Sequence, residues 1–315
     1  MSFRIVIVGI GEVLWDLLLT GPQLGGAPAN FAYHAAALGA EAHVITRVGN
    51  DDLGREILRR FSDMGLQHGG VKSGVKNNIE SDVQSNVQVD ERAPTGTASV
   101  TLSGDGLAHF AVQENVAWDF LDATPKALTL VNEAHAVCFG SLAQRSEPSR
   151  NAIQQLVEST PNDALRVFDV NLRRPFYTRD VIERSLQLAN VLKLNDDELP
   201  SLAAMFNLSG STEKQIECLA QTFSLQVVAL TRGPNGSLLY QADSRRWSDC
   251  ASRPVTIVDT VGAGDSFTAA LVLGLLCKMD LDEINSIANE VARYVCSQPG
   301  ATPPLPRELG VRFLR

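Results

Sequence analysis

Paired cysteines are missing from this chain. Its five, Cys138, Cys218, Cys250, Cys277 and Cys296, are scattered and odd in number, with no CxxC spacing. That argues against a disulfide framework or a zinc knuckle and fits buried thiols in a reducing compartment. Basic charge is also short. The net charge of -9 excludes the broad footprint of Lys and Arg that nucleic acid requires, though not a nucleotide as a small ligand. No apolar run is long enough to span a bilayer. The opening "MSFRIVIVGIG" is too short in its apolar stretch for a secretory leader and lacks a small-residue cleavage site. The expectation is a cytoplasmic protein with neither membrane nor nucleic acid as partner. A Walker A loop, GxxxxGK[ST], is absent. "GIGEVL" from Gly9 has two of three Rossmann glycines, with Leu14 in place of the third, so an NAD-dependent dehydrogenase rests on a fragment. His34, His43, His68, His109 and His135 show no metal-ligand spacing and read as surface or packing residues.

What is present is alternation. Short apolar runs recur at Arg4–Ile10 and from His43, Ala136, Arg166, Asn190 and Val227. They carry few alternating polar residues, as strands buried on both faces of a parallel sheet do. Helical spacing lies between them at Ala29–Leu38, Leu53–Met64, Ser149–Val157 and Asp180–Asn190, the first two ending at Gly39 and Gly65. The pattern predicts a doubly wound α/β fold, with 44% hydrophobic residues over 315 positions to fill its core. One region departs from it. Ile79 to Phe110 alternates apolar with polar residues, the mark of an antiparallel layer with one wet face.

Two stretches carry chemistry. In "VTIVDTVGAGD", a run of β-formers gives way to Gly262-Ala263-Gly264 and then Asp265, just before a buried helical pattern. A helix N-terminus beyond a strand's carboxyl end presents unpaired N–H groups to an anion, and glycine lets the backbone come close. Residues 262–264 can cradle a phosphoryl group. Asp265 at its edge is then either a base for an attacking hydroxyl or simply the helix N-cap. In "LGGAPANFAYHAAALGAEAHVITRVGNDDLG", Gly25, Gly26 and the Asn30 amide stand at the lip of a helix, where they can hydrogen-bond polyol hydroxyls.

Together these stretches resemble the two signature patterns of the ribokinase-like (PfkB) carbohydrate kinases. Gly25, Gly26, Asn30, Gly39 and Gly49 match the first; Asp259, Thr260, Gly262, Gly264 and Asp265 match the second, more than 200 residues on. The resemblance covers nearly the whole chain. It implies a single kinase domain over 1–315: a mostly parallel doubly wound sheet with helices, and a small β-lid drawn from about 12–24 and 79–112. It also implies roles. Asp16 in "GEVLWD" would hold two sugar hydroxyls. "DVNLR" looks like the DxNxR motif, with Asp169 toward the sugar and Arg173 toward phosphate charge. Asn195 and Glu198 in "KLNDDEL" look like the NxxE motif, which organises magnesium through water near ATP. Thr231, Gly233 and Gly236 match a TxGxxG segment lining the nucleotide. Gly300 and Ala301 match a loop over adenine and potassium, the latter shared with the Asp259 region.

The implied partners are ATP and a small sugar, with Mg2+ and K+ as ions. Asp265 would be the base, and the amides of 262–264 with Arg173 would stabilise phosphoryl charge. "TGTASVTLSGDG" and DxNxR place fructose first as substrate, then ketodeoxygluconate or another sugar, then a nucleoside. A non-catalytic sensor on the same fold is the alternative of another class. Unpaired lid edges would suit a homodimer. The link between Asp16 and Gly25, "LLLTGPQL", is shorter than the family's usual one, and no proline stands beside the acid.

Overall fold

The computed structural model describes residues 4–18, 21–66, 86–102 and 108–313. Among these are thirteen strands. They are β1 (Val6–Ile10), β2 (Leu14–Leu18), β3 (Gly21–Gly25), β4 (Glu41–Gly49), β5 (Val87–Asp90), β6 (Thr97–Leu102) and β7 (Ala108–Val112), then β8 (Ala136–Phe139), β9 (Leu165–Asp169), β10 (Val191–Asn195), β11 (Val227–Thr231), β12 (Ser237–Gln241) and β13 (Arg246–Cys250). Nine form one sheet in the order β13-β12-β11-β10-β9-β8-β1-β4-β5, parallel from β11 to β5 and antiparallel at the other edge.

Period-two side-chain alternation splits the apolar residues of each buried strand between two cores. Ile7, Cys138, Val167, Val191 and Val227 pack with the helices Ala27–Ala37, Asp52–Asp63, Ala263–Leu276 and Leu281–Cys296. Val8, Val137, Phe168, Leu192 and Val228 pack with Pro125–Asn132, Glu147–Glu158, Arg179–Leu188, Leu199–Phe206 and Thr212–Phe223 on the other face. Every strand and helix read from the alternation is present, with ends shifted by a residue or two.

A second sheet has the order β3-β2-β6-β7, with β2 and β6 parallel and its other pairs antiparallel. It springs from the loop after β1 and so stands at the carboxyl ends of the large sheet's strands. Two expectations change here. Val87–Asp90 leaves the alternating region to pair with β4 as the edge of the large sheet. The run Val255–Val258 is not a strand. It is irregular, with Ile257 and Val258 60% and 58% exposed, and its amides at 258 and 259 donate to the Cys296 carbonyl at the end of a helix. Its β-branched residues satisfy a local preference, but among the described residues no strand pairs with them. Of the expected lid, residues 19–20, 79–85 and 103–107 lie outside the described residues.

Candidate active site

The helix Ala263–Leu276 sets the site. Its cap position is Gly262 at φ 78°, and no side chain caps it. A Cβ on Gly262 would lie 2.3 Å from the Ala301 carbonyl oxygen, so both conformation and space demand glycine. Asp265 falls inside the first turn, not at the cap, so the helix-cap reading fails. Its Oδ2 accepts from Asn30 Nδ2 at 2.9 Å, across 235 residues of sequence. Burial, then the charge of Asp169, pushes the Asp265 carboxyl up to about 6; Asn30, Lys193 and Arg173 pull the other way.

The Gly25-Gly26 pair is required by the same crowding. A Cβ on Gly25 would meet Asp16 Oδ2 at 2.3 Å, and one on Gly26, at φ 114°, would meet the Glu12 carbonyl at 2.5 Å. The Asp16 carboxylate therefore lies over this turn. Burial raises its pKa, and the Arg173 cation lowers it. Arg173 is itself exposed, on the loop after β9, and its charge reaches Glu12 and Asp265 as well.

Asp169 occupies a different place from the one expected. It is 5% exposed. Its Oδ1 takes the Lys193 ammonium at 3.1 Å and its Oδ2 lies 3.0 Å from Thr268 Oγ1. Each oxygen has one internal partner, which holds the carboxylate in place beside the cradle. Lys193 reaches on toward the cradle: a Cβ on Gly264 would stand 3.0 Å from its Nζ. Burial works against the ammonium, yet Asp169, Glu198 and Asp265 together hold its pKa above the ordinary value.

Asn195 and Thr231 are register partners at the ends of β10 and β11, which brings the two expected nucleotide segments side by side. Asn195 Oδ1 caps the next turn through the amides of Asp197 and Glu198. Glu198 accepts from the Leu172 amide at 2.9 Å and the Asn195 amide at 2.8 Å. Burial raises its pKa. Gly233 and Gly236 shape the turn into β12, and a Cβ at 236 would strike the Cys250 carbonyl at 1.9 Å. Asp259 ties the two C-terminal loops together, accepting from the Val261 amide at 3.0 Å and the Gly300 amide at 3.1 Å.

Three further residues were not singled out by the sequence. Glu12 is 2% exposed, its Oε2 has no hydrogen-bond partner among the described residues, and burial pushes it up to about 7. Lys193 is the second. His34 is fully buried, bonded through Nε2 to the Ala301 carbonyl at 2.9 Å, and burial lowers it to about 4. A charged residue inside an apolar strand run, as in "VLKLN", is the signal that could have marked Lys193.

Residues 21–308 match the description of the pfkB family carbohydrate kinase. The chain belongs to this family. It is an ATP-dependent carbohydrate kinase of PfkB type. The uncharacterized sugar kinase PH1459 of Pyrococcus horikoshii is 29% identical, with 94% of this chain and 91% of that one covered. A probable fructokinase-4 of Arabidopsis thaliana is 30% identical over 98% and 96% of the two chains. The crystal structure of PH1459 in complex with ATP superposes with a TM-score of 0.77 at 28% identity, covering 99% of this chain and all of that one.

No group of three His, Cys, Asp or Glu among the described residues could hold a metal alone. Glu198 spends one lone pair of each oxygen on a backbone amide, leaving the others for water. That donor set fits a magnesium ion carried mainly by phosphate and water.

Proposed function

We propose that this PfkB kinase phosphorylates the primary hydroxyl of fructose, giving fructose 6-phosphate. The observation that carries the reading is the Asn30–Asp265 hydrogen bond. It joins the polyol-facing signature to the phosphate-facing one at a single buried carboxylate. Asp16, Gly25, Gly26 and Asn30 bind and orient the sugar. Asp265 accepts the proton of the primary hydroxyl as its oxygen bonds to the γ-phosphorus and the bond to the β,γ-bridging oxygen breaks, releasing ADP. Amides at 262–264 and the Arg173 cation face the charge on the transferring group.

Asn195, Thr231, Gly233 and Gly236 form the nucleotide side. Glu198 would help hold, through water, a magnesium ion whose charge would offset that of the phosphates. Potassium would take carbonyl oxygens from the two loops that Asp259 joins, including that of Gly300. The small sheet acts as the lid, and its outer strands are the proposed seam of a cytoplasmic homodimer. The choice of fructose rests on DxNxR and on relatives named fructokinase. An ADP-release screen across ketoses, aldoses, acid sugars and nucleosides tests it. Fructose should give the highest kcat/KM, and a higher value for ketodeoxygluconate or a nucleoside would replace it. Ligand binding without turnover of any of them would leave a sensor.

A further inference from the structure

The helix Ala27–Ala37 meets the cradle at two points. Asn30 and His34 are four residues apart on it and so share one face. Asn30 donates to the Asp265 carboxylate at 2.9 Å. His34, one turn on, reaches the Ala301 carbonyl through Nε2, also at 2.9 Å, across 267 residues of sequence. A carbonyl oxygen only accepts, so Nε2 carries the hydrogen.

The His34 ring is fully buried, and its Nδ1 has no hydrogen-bond partner among the described residues. Its helix neighbours Phe31, Ala32 and Ala35 belong to the apolar core. An apolar side chain would serve packing there without leaving a buried nitrogen unmet. Packing therefore does not account for an imidazole at this position, and the bond to Ala301 does.

That bond holds an acceptor beside the cradle. The Ala301 oxygen lies 2.3 Å from where a Cβ on Gly262 would stand. Gly262 is the cap of the helix Ala263–Leu276, and the leading amides of a helix have no partner within it. A carbonyl free to swing there competes with phosphoryl oxygens for those N–H groups. Asp259 anchors the same loop through the Gly300 amide at 3.1 Å; the carbonyl of the next residue is held by His34.

We propose that His34 is a positioning residue for phosphoryl transfer: its Nε2–H fixes the direction of the Ala301 carbonyl and keeps the leading amides of the helix Ala263–Leu276 open to the transferring group. The inference rests on the cradle role proposed for residues 262–264. One helix then aligns both sides of the reaction, the base through Asn30 and the cradle through His34.

His34→Leu removes the donor and keeps an apolar helix former. His34→Gln places an amide N–H the same number of bonds from the backbone. Each is compared with the wild-type chain in steady-state kinetics with the best sugar of the screen. Each is also titrated with ADP and magnesium, with and without aluminium fluoride as a mimic of the transferring group. A misplacement of about 1 Å can cost about 10²-fold, so His34→Leu should lose about 10–100-fold in kcat and in affinity for ADP with aluminium fluoride. Its sugar KM and its affinity for ADP alone should stay within about twofold, because those contacts are not moved. His34→Gln should return both losses to within about threefold of wild type. A sugar KM that rises as kcat falls, or a Gln variant no better than the Leu one, makes His34 a packing residue and overturns the inference. Should His34→Leu not fold, His34→Gln decides alone, and a loss beyond about threefold overturns it. Gly262→Ala, strained at φ 78° and blocked by the Ala301 oxygen, is the control. If it leaves aluminium fluoride binding unchanged, the cradle reading fails and this inference with it. If it weakens that binding and His34→Leu does not, only the role of His34 falls.

Discussion

Two buried aspartates beside the same cradle have opposite surroundings. Asp169 has an ammonium on one oxygen and a hydroxyl by the other. Asp265 has one neutral amide from Asn30 and a raised pKa. Burial is common to both, so burial alone does not make a base. Asp169, with a partner on each oxygen, serves the frame. A carboxylate left a single neutral partner keeps an affinity for a proton near neutrality, which is what general-base work needs.

The largest expected effect tests the second half of that contrast. Asp265→Asn keeps the size, and the helix cap at Gly262 is untouched, so the fold should survive. A general base is worth about 10²–10⁴-fold, and kcat should fall by that order with little change in nucleotide affinity. Steady-state kinetics with the best sugar from the screen measure it; near wild-type turnover would remove Asp265 from the chemistry.

The next effect tests the first half. Lys193 and Asp169 are register partners on neighbouring strands, each side chain 7% exposed. Lys193→Met leaves Asp169 buried without its cation, which should cost about 3–5 kcal/mol in denaturant unfolding. Adding Asp169→Asn should return much of that, since the stranded charge is gone. Asp169→Asn alone separates the two acids by pH. A base works when deprotonated, so the wild-type rate should rise as pH passes about 6, the Asp265 value. The Asp169 charge is the foremost neighbouring group raising that value, so in Asp169→Asn the acid limb of kcat/KM should move to lower pH. An unmoved limb would mean that another group sets it.

This pair also shows where reading the sequence stops. The alternation of apolar runs and helical spacing gave the sheet, because strand burial is written locally in composition. Gly262, Gly264 and Asp265 were legible because a tight turn and a buried acid need those residue types in order. Asp169 was legible as a motif member but not in its setting, because its cation comes from the next strand and its hydroxyl from 99 residues on. Glu12 was passed over for the same reason, and the role of Lys193, whatever its place in an apolar run suggests, emerges only when topology gathers several acids around it. Local preference misled at Val255–Val258, whose β-branched residues pair with no strand among the described residues.

Glu198→Gln probes a carboxylate whose surroundings fall between these two. Both its oxygens accept backbone amides, so the new NH2 must face one N–H with another. A loss of about 1–3 kcal/mol is expected from the unmet donor, alongside a higher magnesium requirement for turnover. Thermal unfolding and a magnesium titration separate the two. An unchanged titration would confine Glu198 to holding the 172 and 195 loops.

The smallest effect sharpens the comparison most. Thr268 Oγ1 lies 3.0 Å from Asp169 Oδ2 and 2.9 Å from the Gly264 carbonyl. A hydroxyl has one proton, so it can satisfy only one of them at a time, and the charged acceptor makes the stronger bond. Thr268→Val keeps the shape and removes that proton. Asp169 still has Lys193, so the loss should be about 1–2 kcal/mol, well below that of Lys193→Met. Turnover should stay within a few-fold, because Asp265 and its Asn30 partner are untouched. Thr268→Ser, which restores the proton, should recover most of the stability. A loss in Thr268→Val as large as in Lys193→Met would mean that Asp169 depends on the hydroxyl as much as on the cation. The contrast between a charge-paired and a singly held aspartate would then need to be redrawn around hydrogen bonds.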